Sequence, residues 1–149
     1  MRMRRLIVSI VALLTAATAT AMSVHADSRK PSYQIVCNPN NPIAVVDRQF
    51  VQDAFLKKVR SWPTGDGTRP VDLAPSSPVR RHFSKEVLRR PVEAVRVFWQ
   101  QRIFAGRDLP PPEVRSDDEV IAFVLRDRGA IGYVSAGAAL NGAKVLNVK

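Results

Sequence analysis

The chain is poor in cysteine, histidine and acid, and each shortage removes a class of function. Cys37 is the only cysteine among 149 residues. No internal disulfide can form, and a lone thiol in an apolar run is expected as a small buried strand residue. The only histidines are His25 and His82. No Cys or His pair has the spacing of a zinc site, so no metal and no cofactor is expected. Without a base near a nucleophile, no catalytic set can be assembled from Cys37 and His82, and the chain does not read as an enzyme. Acids number 13 against 23 lysines and arginines, a formal charge of +10. Such a field favours anionic partners.

What the chain does have is a leader. Arg2, Arg4 and Arg5 form a positive start, and Leu6 to Leu14 is apolar apart from Ser9. Small residues follow, and Val24-His25-Ala26 precedes polar Asp27. This is the pattern of a signal peptide over residues 1–26, cleaved near Ala26. Its apolar core is shorter than the roughly 20 residues of a membrane span, and no later segment is long enough either. Removing the leader takes away three arginines and no acids, leaving +7 on residues 27–149, one domain of 123 residues. Periplasmic or secreted placement takes nucleic acid off the list of anionic partners.

Residues 33–37 read as a strand broken by Asn38-Pro-Asn-Asn-Pro42. Asp47 is expected to cap a helix with Phe50, Val51, Ala54, Phe55 and Val59 on one face and Lys57 and Lys58 in its last turn. Trp62 to Thr68 is a loop whose Gly65-Asp-Gly67 is a turn rather than a phosphate loop, and Pro70 to Leu73 a short strand. Ser77 at the N-cap with Pro78 behind it predicts a second helix, apolar at Val79, Phe83, Val87 and Leu88. Arg81, Lys85 and Arg89 line its other face at four-residue steps, where like charges repel unless an anion sits among them. A third helix from Pro91 carries Val92, Val95, Phe98, Trp99, Arg102 and Ile103 on one side and stops at Gly106. Pro110-Pro-Pro112 is a stiff linker. Ser116-Asp-Asp-Glu119 is a capping box, with the acids suited to a helix start rather than to a cation. The helix it opens runs through Arg126 or Asp127, is expected to be buried on more than one side, and is ended by Gly129. Ala130 to Val134 and Lys144 to Val148 are strands. Strands alternating with helices predict an α/β fold, a small mixed sheet covered by helices.

The richest candidate site is the start of the second helix. Ser76 and Ser77 bring hydroxyls, the first-turn N–H groups of Val79 and Arg80 have no helical acceptor, and the dipole there favours an anion. Arg80 and Arg81 have the fork to grip oxyanion oxygens. The same residues also make an ordinary serine cap.

Several segments taken together point to a family. Asn38-Pro-Asn-Asn-Pro42, Phe55-Leu-Lys-Lys58 with Trp62-Pro63, Pro75-Ser-Ser-Pro-Val-Arg-Arg-His-Phe83, Phe98-Trp99 with Phe104-Ala-Gly106, and Gly129-Ala-Ile-Gly-Tyr133 follow one another in this order. Over residues 33–148 the chain resembles phosphate ABC transporter substrate-binding proteins, in a short exported form. The resemblance implies a type 2 periplasmic-binding-protein lobe, phosphate or a similar small oxyanion as ligand, and ABC transporter membrane subunits as partners. The family's anion loop is Ser-Gly-Thr at a helix start. Ser76-Ser77-Pro78 stands in that place, without the glycine or the threonine. The family's full clamshell is more than twice this length, so a single lobe is expected to supply half a ligand shell, which a homodimer would complete. A second reading keeps the fold and drops the ligand. It makes the chain an accessory domain whose basic face, Arg81, Lys85 and Arg89, meets an acidic envelope protein.

Overall fold

A computed structural model describes residues 32–149. The leader, its cleavage site and the first residues after it lie outside the described residues. Strand β1 (Tyr33–Cys37) lies at the centre of a four-stranded sheet. It runs antiparallel to β6 (Ala130–Ser135), with Tyr33 opposite Ser135 and Cys37 opposite Ile131, and antiparallel to β7 (Lys144–Val145) on its other edge. Strand β3 (Arg69–Pro70) completes the sheet in parallel beside β6. Two small parallel pairs flank it: β2 (Val45–Val46) with β8 (Asn147–Val148), and β4 (Asp72–Leu73) with β5 (Glu113–Val114). The Pro70–Leu73 segment thus serves two sheets, its first residue in β3 and its last two in β4. The segment expected as one strand at the C-terminus likewise divides into β7 and β8.

Four helices cover these sheets: α1 (Arg48–Phe55), α2 (Pro78–Glu86), α3 (Val92–Phe104) and α4 (Asp117–Arg126). Helix α1 is shorter than its apolar spacing suggests. It closes at Leu56, and Lys57 turns into the left-handed region at φ 52°. Val59 and the two lysines are therefore outside it, and Lys58 and Val59 donate back to the carbonyl of Asp53. Helix α3 ends where expected, with Gly106 at φ 62°. Its buried residues are Val95 and Trp99, while Ile103 lies open.

Helix α4 departs from expectation in a simple way. Its buried residues Val120, Ile121 and Val124 form one stripe, Phe123 is half-buried and Leu125 exposed. One stripe suffices because α4 packs on one face of the sheet, chiefly on β6 and also on β1 and β4. It lies so close to β6 that a Cβ on Gly132 would come within 2.6 Å of a Val120 methyl and 2.9 Å of a Val71 methyl. Its start is closed by Ser116, whose hydroxyl accepts from the Glu119 N–H (3.2 Å), while the Glu119 carboxylate takes the Arg115 N–H (2.8 Å). Asp117 accepts from the N–H of Ser135 at the end of β6 (3.1 Å). At its far end the side-chain amide of Asn38 donates to the carbonyls of Val124 and Leu125 at 2.9 and 3.1 Å. The residue just after β1 so caps the C-terminal carbonyls of the helix above it.

The core is contiguous, from Val36 and Cys37 through Val51, Phe55, Leu56, Val71 and Phe83 to Val120, Val124, Ile131 and Tyr133. Tyr133 stacks on Phe83, with centroids 3.8 Å apart and planes at 7°. Trp62 is buried, and its indole N–H donates to the Gly129 carbonyl (2.9 Å), tying the turn-rich loop to the sheet. Cys37 is fully buried as a free thiol, and burial pushes its pKa up. His82 lies on the exposed face of α2.

Candidate functional site at the start of helix α2

Strand β4 delivers the chain to a tight turn in which the Ser77 N–H donates to the Ala74 carbonyl (2.9 Å). Helix α2 begins immediately after. Ser77 sits at the N-cap in extended conformation, Pro78 follows, and the Ser77 hydroxyl accepts from the Arg80 N–H (3.3 Å). Arg81 folds back over the turn, its guanidinium donating to the Ser76 carbonyl (2.9 Å). Ser76, Ser77 and Arg81 therefore meet at one accessible helix start, where Ser76 and Arg81 are exposed and Ser77 half-buried. Among the described residues the Val79 N–H has no protein acceptor. It is an orphan donor of the first turn, at the positive end of the dipole.

Arg80 goes elsewhere. The periodicity that puts Phe83, Ser84 and Val87 inside puts Arg80 inside as well, and it is 3% exposed. Its guanidinium forms an ion pair with Asp72, equally buried, and donates to the Leu73 carbonyl (3.4 Å). Asp72 also accepts from the Tyr133 hydroxyl and from the Leu73 N–H (3.1 Å), and the Tyr133 oxygen takes the same Leu73 N–H at 3.2 Å. Burial pushes the Tyr133 hydroxyl well above its ordinary pKa, and burial lowers that of Arg80. Asp72, Arg80 and Tyr133 thus make a buried network that pins α2 to β4 and β6, with the Arg80 Nε left without a partner. It spends the Arg80 charge inside the fold, so the fork expected at the surface is reduced to Arg81 alone.

Neither Asp72 nor Tyr133 was expected from the sequence as a site residue, although Tyr133 closes the Gly129-Ala-Ile-Gly-Tyr133 segment. A signal was there in Asp72, an acid enclosed by Val71 and Leu73, because a carboxylate in an apolar run must find a cation or donors. The acids Asp117 and Glu119 have the structural work already described. Among the described residues, no group of three His, Cys, Asp or Glu side chains is placed to hold a metal.

Arg81, Lys85 and Arg89, read from the sequence as one basic face, line an open cavity of about 580 Å³ with Arg90, Pro75, Pro91, Val92 and Glu93. The cavity adjoins the helix start through Pro75 and Arg81.

Sheet, helices and connections together share the fold of part of several solved phosphate-transport binding proteins. An ABC-type phosphate transport receptor from Vibrio cholerae matches with a TM-score of 0.62 and 17% identity, over 78% of this chain and 46% of the receptor. A phosphate ABC transporter substrate-binding protein from Clostridium perfringens, with phosphate bound, matches with a TM-score of 0.62 and 16% identity over 78% and 44%. PstS from Borrelia burgdorferi gives 0.61 and 15% over 79% and 47%. The chain spans less than half the length of these solved structures. No family model and no curated protein sequence matches it. Among the described residues no helix is long and apolar enough to cross a membrane.

Proposed function

We propose that the chain is an exported solute-binding domain that holds a small oxyanion, phosphate above all, at the start of α2, for or alongside an ABC transporter. The observation that carries this reading is the meeting of Ser76, Ser77 and Arg81 at an accessible helix start with an orphan N–H, on a fold shared with phosphate-binding proteins. The serine hydroxyls and the Val79 N–H supply donors, and Arg81 supplies the charge. Arg80 acts from beneath as a positioning residue, fixing the slope at which α2 presents its first turn. The leader supports export, and with it a periplasmic or secreted site of action.

Ser76 and Arg81 are exposed, so an oxyanion held there keeps part of its hydration. The expected affinity is therefore modest, a dissociation constant of about 1 mM, equivalent to roughly 4 kcal/mol. Calorimetric titration of phosphate into the purified protein tests it. Binding should saturate in that range, and Arg81→Ala together with Ser76→Ala should weaken it by about tenfold, the loss of one charge-assisted contact. A flat thermogram up to about 50 mM, far beyond that affinity, would sink the proposal.

A further inference from the structure

The 580 Å³ cavity between α2 and α3 shares Arg81 with the helix start but extends away from it, past Lys85 to Arg89 and Arg90. Helix α2 contributes Arg81 and Lys85, the bend after it Arg89 and Arg90, and the first turn of α3 contributes Val92 and Glu93. Among the described residues none of the four cations has a carboxylate at ion-pairing distance. Glu93, the one acid on the wall, is taken by Arg96 at 2.7 Å. Arg90 is steadied by the face of Phe98, 5.2 Å away. Arg89 holds a left-handed backbone, φ 56°, which costs a non-glycine residue energy. Glycine would take that bend without strain, and the chain places a cation there instead. The cavity also has an apolar side in Pro75, Pro91 and Val92.

From these features we infer a second ligand site, for an organic molecule carrying two phosphate groups on a non-ionic body. Charge decides the number of phosphates. One phosphate monoester carries about −1.5 to −2 at neutral pH, so two match four cations where one does not. Volume decides the body. Cavities of about 300 to 1,000 Å³ hold molecules of metabolite or drug size, and a bare phosphate would leave most of this one to water. The prolines and Val92 give that body an apolar surface to lie on. Two phosphates can come from a soluble sugar bisphosphate or from the headgroup of a lipid, and the chemistry at the wall is the same.

The test is calorimetry on the full chain with inorganic phosphate and with fructose 1,6-bisphosphate. The bisphosphate should bind about tenfold tighter than phosphate or better, and weaken as salt rises. Lys85→Glu with Arg89→Glu should cost about tenfold or more through repulsion, while Arg126→Glu, on α4 and outside the cavity lining, should leave bisphosphate binding nearly unchanged. Arg89→Gly separates site from scaffold, since it should lower affinity while raising the thermal midpoint by relieving the φ strain. Sedimentation with phosphatidylcholine vesicles containing diphosphoryl lipid A, a lipid with two phosphate monoesters on a sugar headgroup, tells the sources apart. Vesicle binding that the bisphosphate displaces assigns the lipid source, and bisphosphate binding without vesicle binding assigns the soluble one. The inference is overturned if the bisphosphate binds no tighter than phosphate, if charge reversal leaves its affinity unchanged, or if a glutamate-rich peptide displaces it at lower concentration. Arg81 is common to both sites, but Ser76 and Ser77 are outside this cavity and Lys85, Arg89 and Arg90 outside the helix start, so substitutions at these residues separate its failure from that of the helix-start reading.

Discussion

At the scale of single residues, the interior is decided by a carboxylate, a guanidinium and a phenol. Removing the Asp72 charge leaves Arg80 buried and unpaired, the expensive half of breaking a buried ion pair. Asp72→Asn should destabilise the protein by about 3 kcal/mol, read as a lower denaturant midpoint at unchanged slope. Tyr33 and Tyr133 are the only tyrosines, and both are buried. Burial, with the hydrogen bond from Tyr33 to Glu86, pushes the Tyr33 hydroxyl up to about 12, and burial moves Tyr133 the same way. The unfolded chain loses these protons near pH 10, whereas the folded chain keeps them. Stability should therefore be intact below pH 10 and fall between pH 10 and 12. Phenolate absorbance at 295 nm should be missing at pH 10.5 and arrive together with unfolding; ordinary titration of either tyrosine at pH 10 in the folded protein would contradict the burial. Much of this was written in the sequence. Arg80 stands three and seven residues before Phe83 and Val87, on their stripe. Its charge and its place in the first turn argued for the surface, and a buried partner 8 residues earlier in sequence leaves no periodic mark.

Elements were legible where punctuation is local. Ser77 with Pro78, Ser116 with Glu119, and Gly106 all mark helix ends where the structure has them. What was lost is the division of short strands between sheets, as in Pro70–Leu73, because pairing partners are set by distant chain. The early end of α1 was also missed, since Val59 fits the helical spacing but the chain turns at Lys57. Ser77→Ala removes the bond to the Arg80 N–H and should cost about 1 kcal/mol, visible in the thermal midpoint. Gly129→Ala should cost more, about 2 kcal/mol or above, because its Cβ would stand 2.0 Å from the Gly67 carbonyl oxygen, backbone that cannot swing aside. A stability equal to that of the unaltered protein would mean that the loop carrying Trp62 is not tied to β6 as described.

For the molecule as a whole, sequence and structure agree on an α/β lobe of periplasmic-binding-protein type, with a central sheet and one core. That fold could be anticipated because the ordered segments from Asn38 to Tyr133 carry it. The geometry of the site could not, because it depends on which arginine of a pair turns inward. The central claim is that the start of α2 holds an oxyanion. Backbone amide NMR during a phosphate titration tests it most directly. The account predicts saturating shifts at Val79, Arg80 and Arg81 with a midpoint of about 1 mM. Amides that stay unmoved there, or shifts confined to residues 85–92, would contradict it.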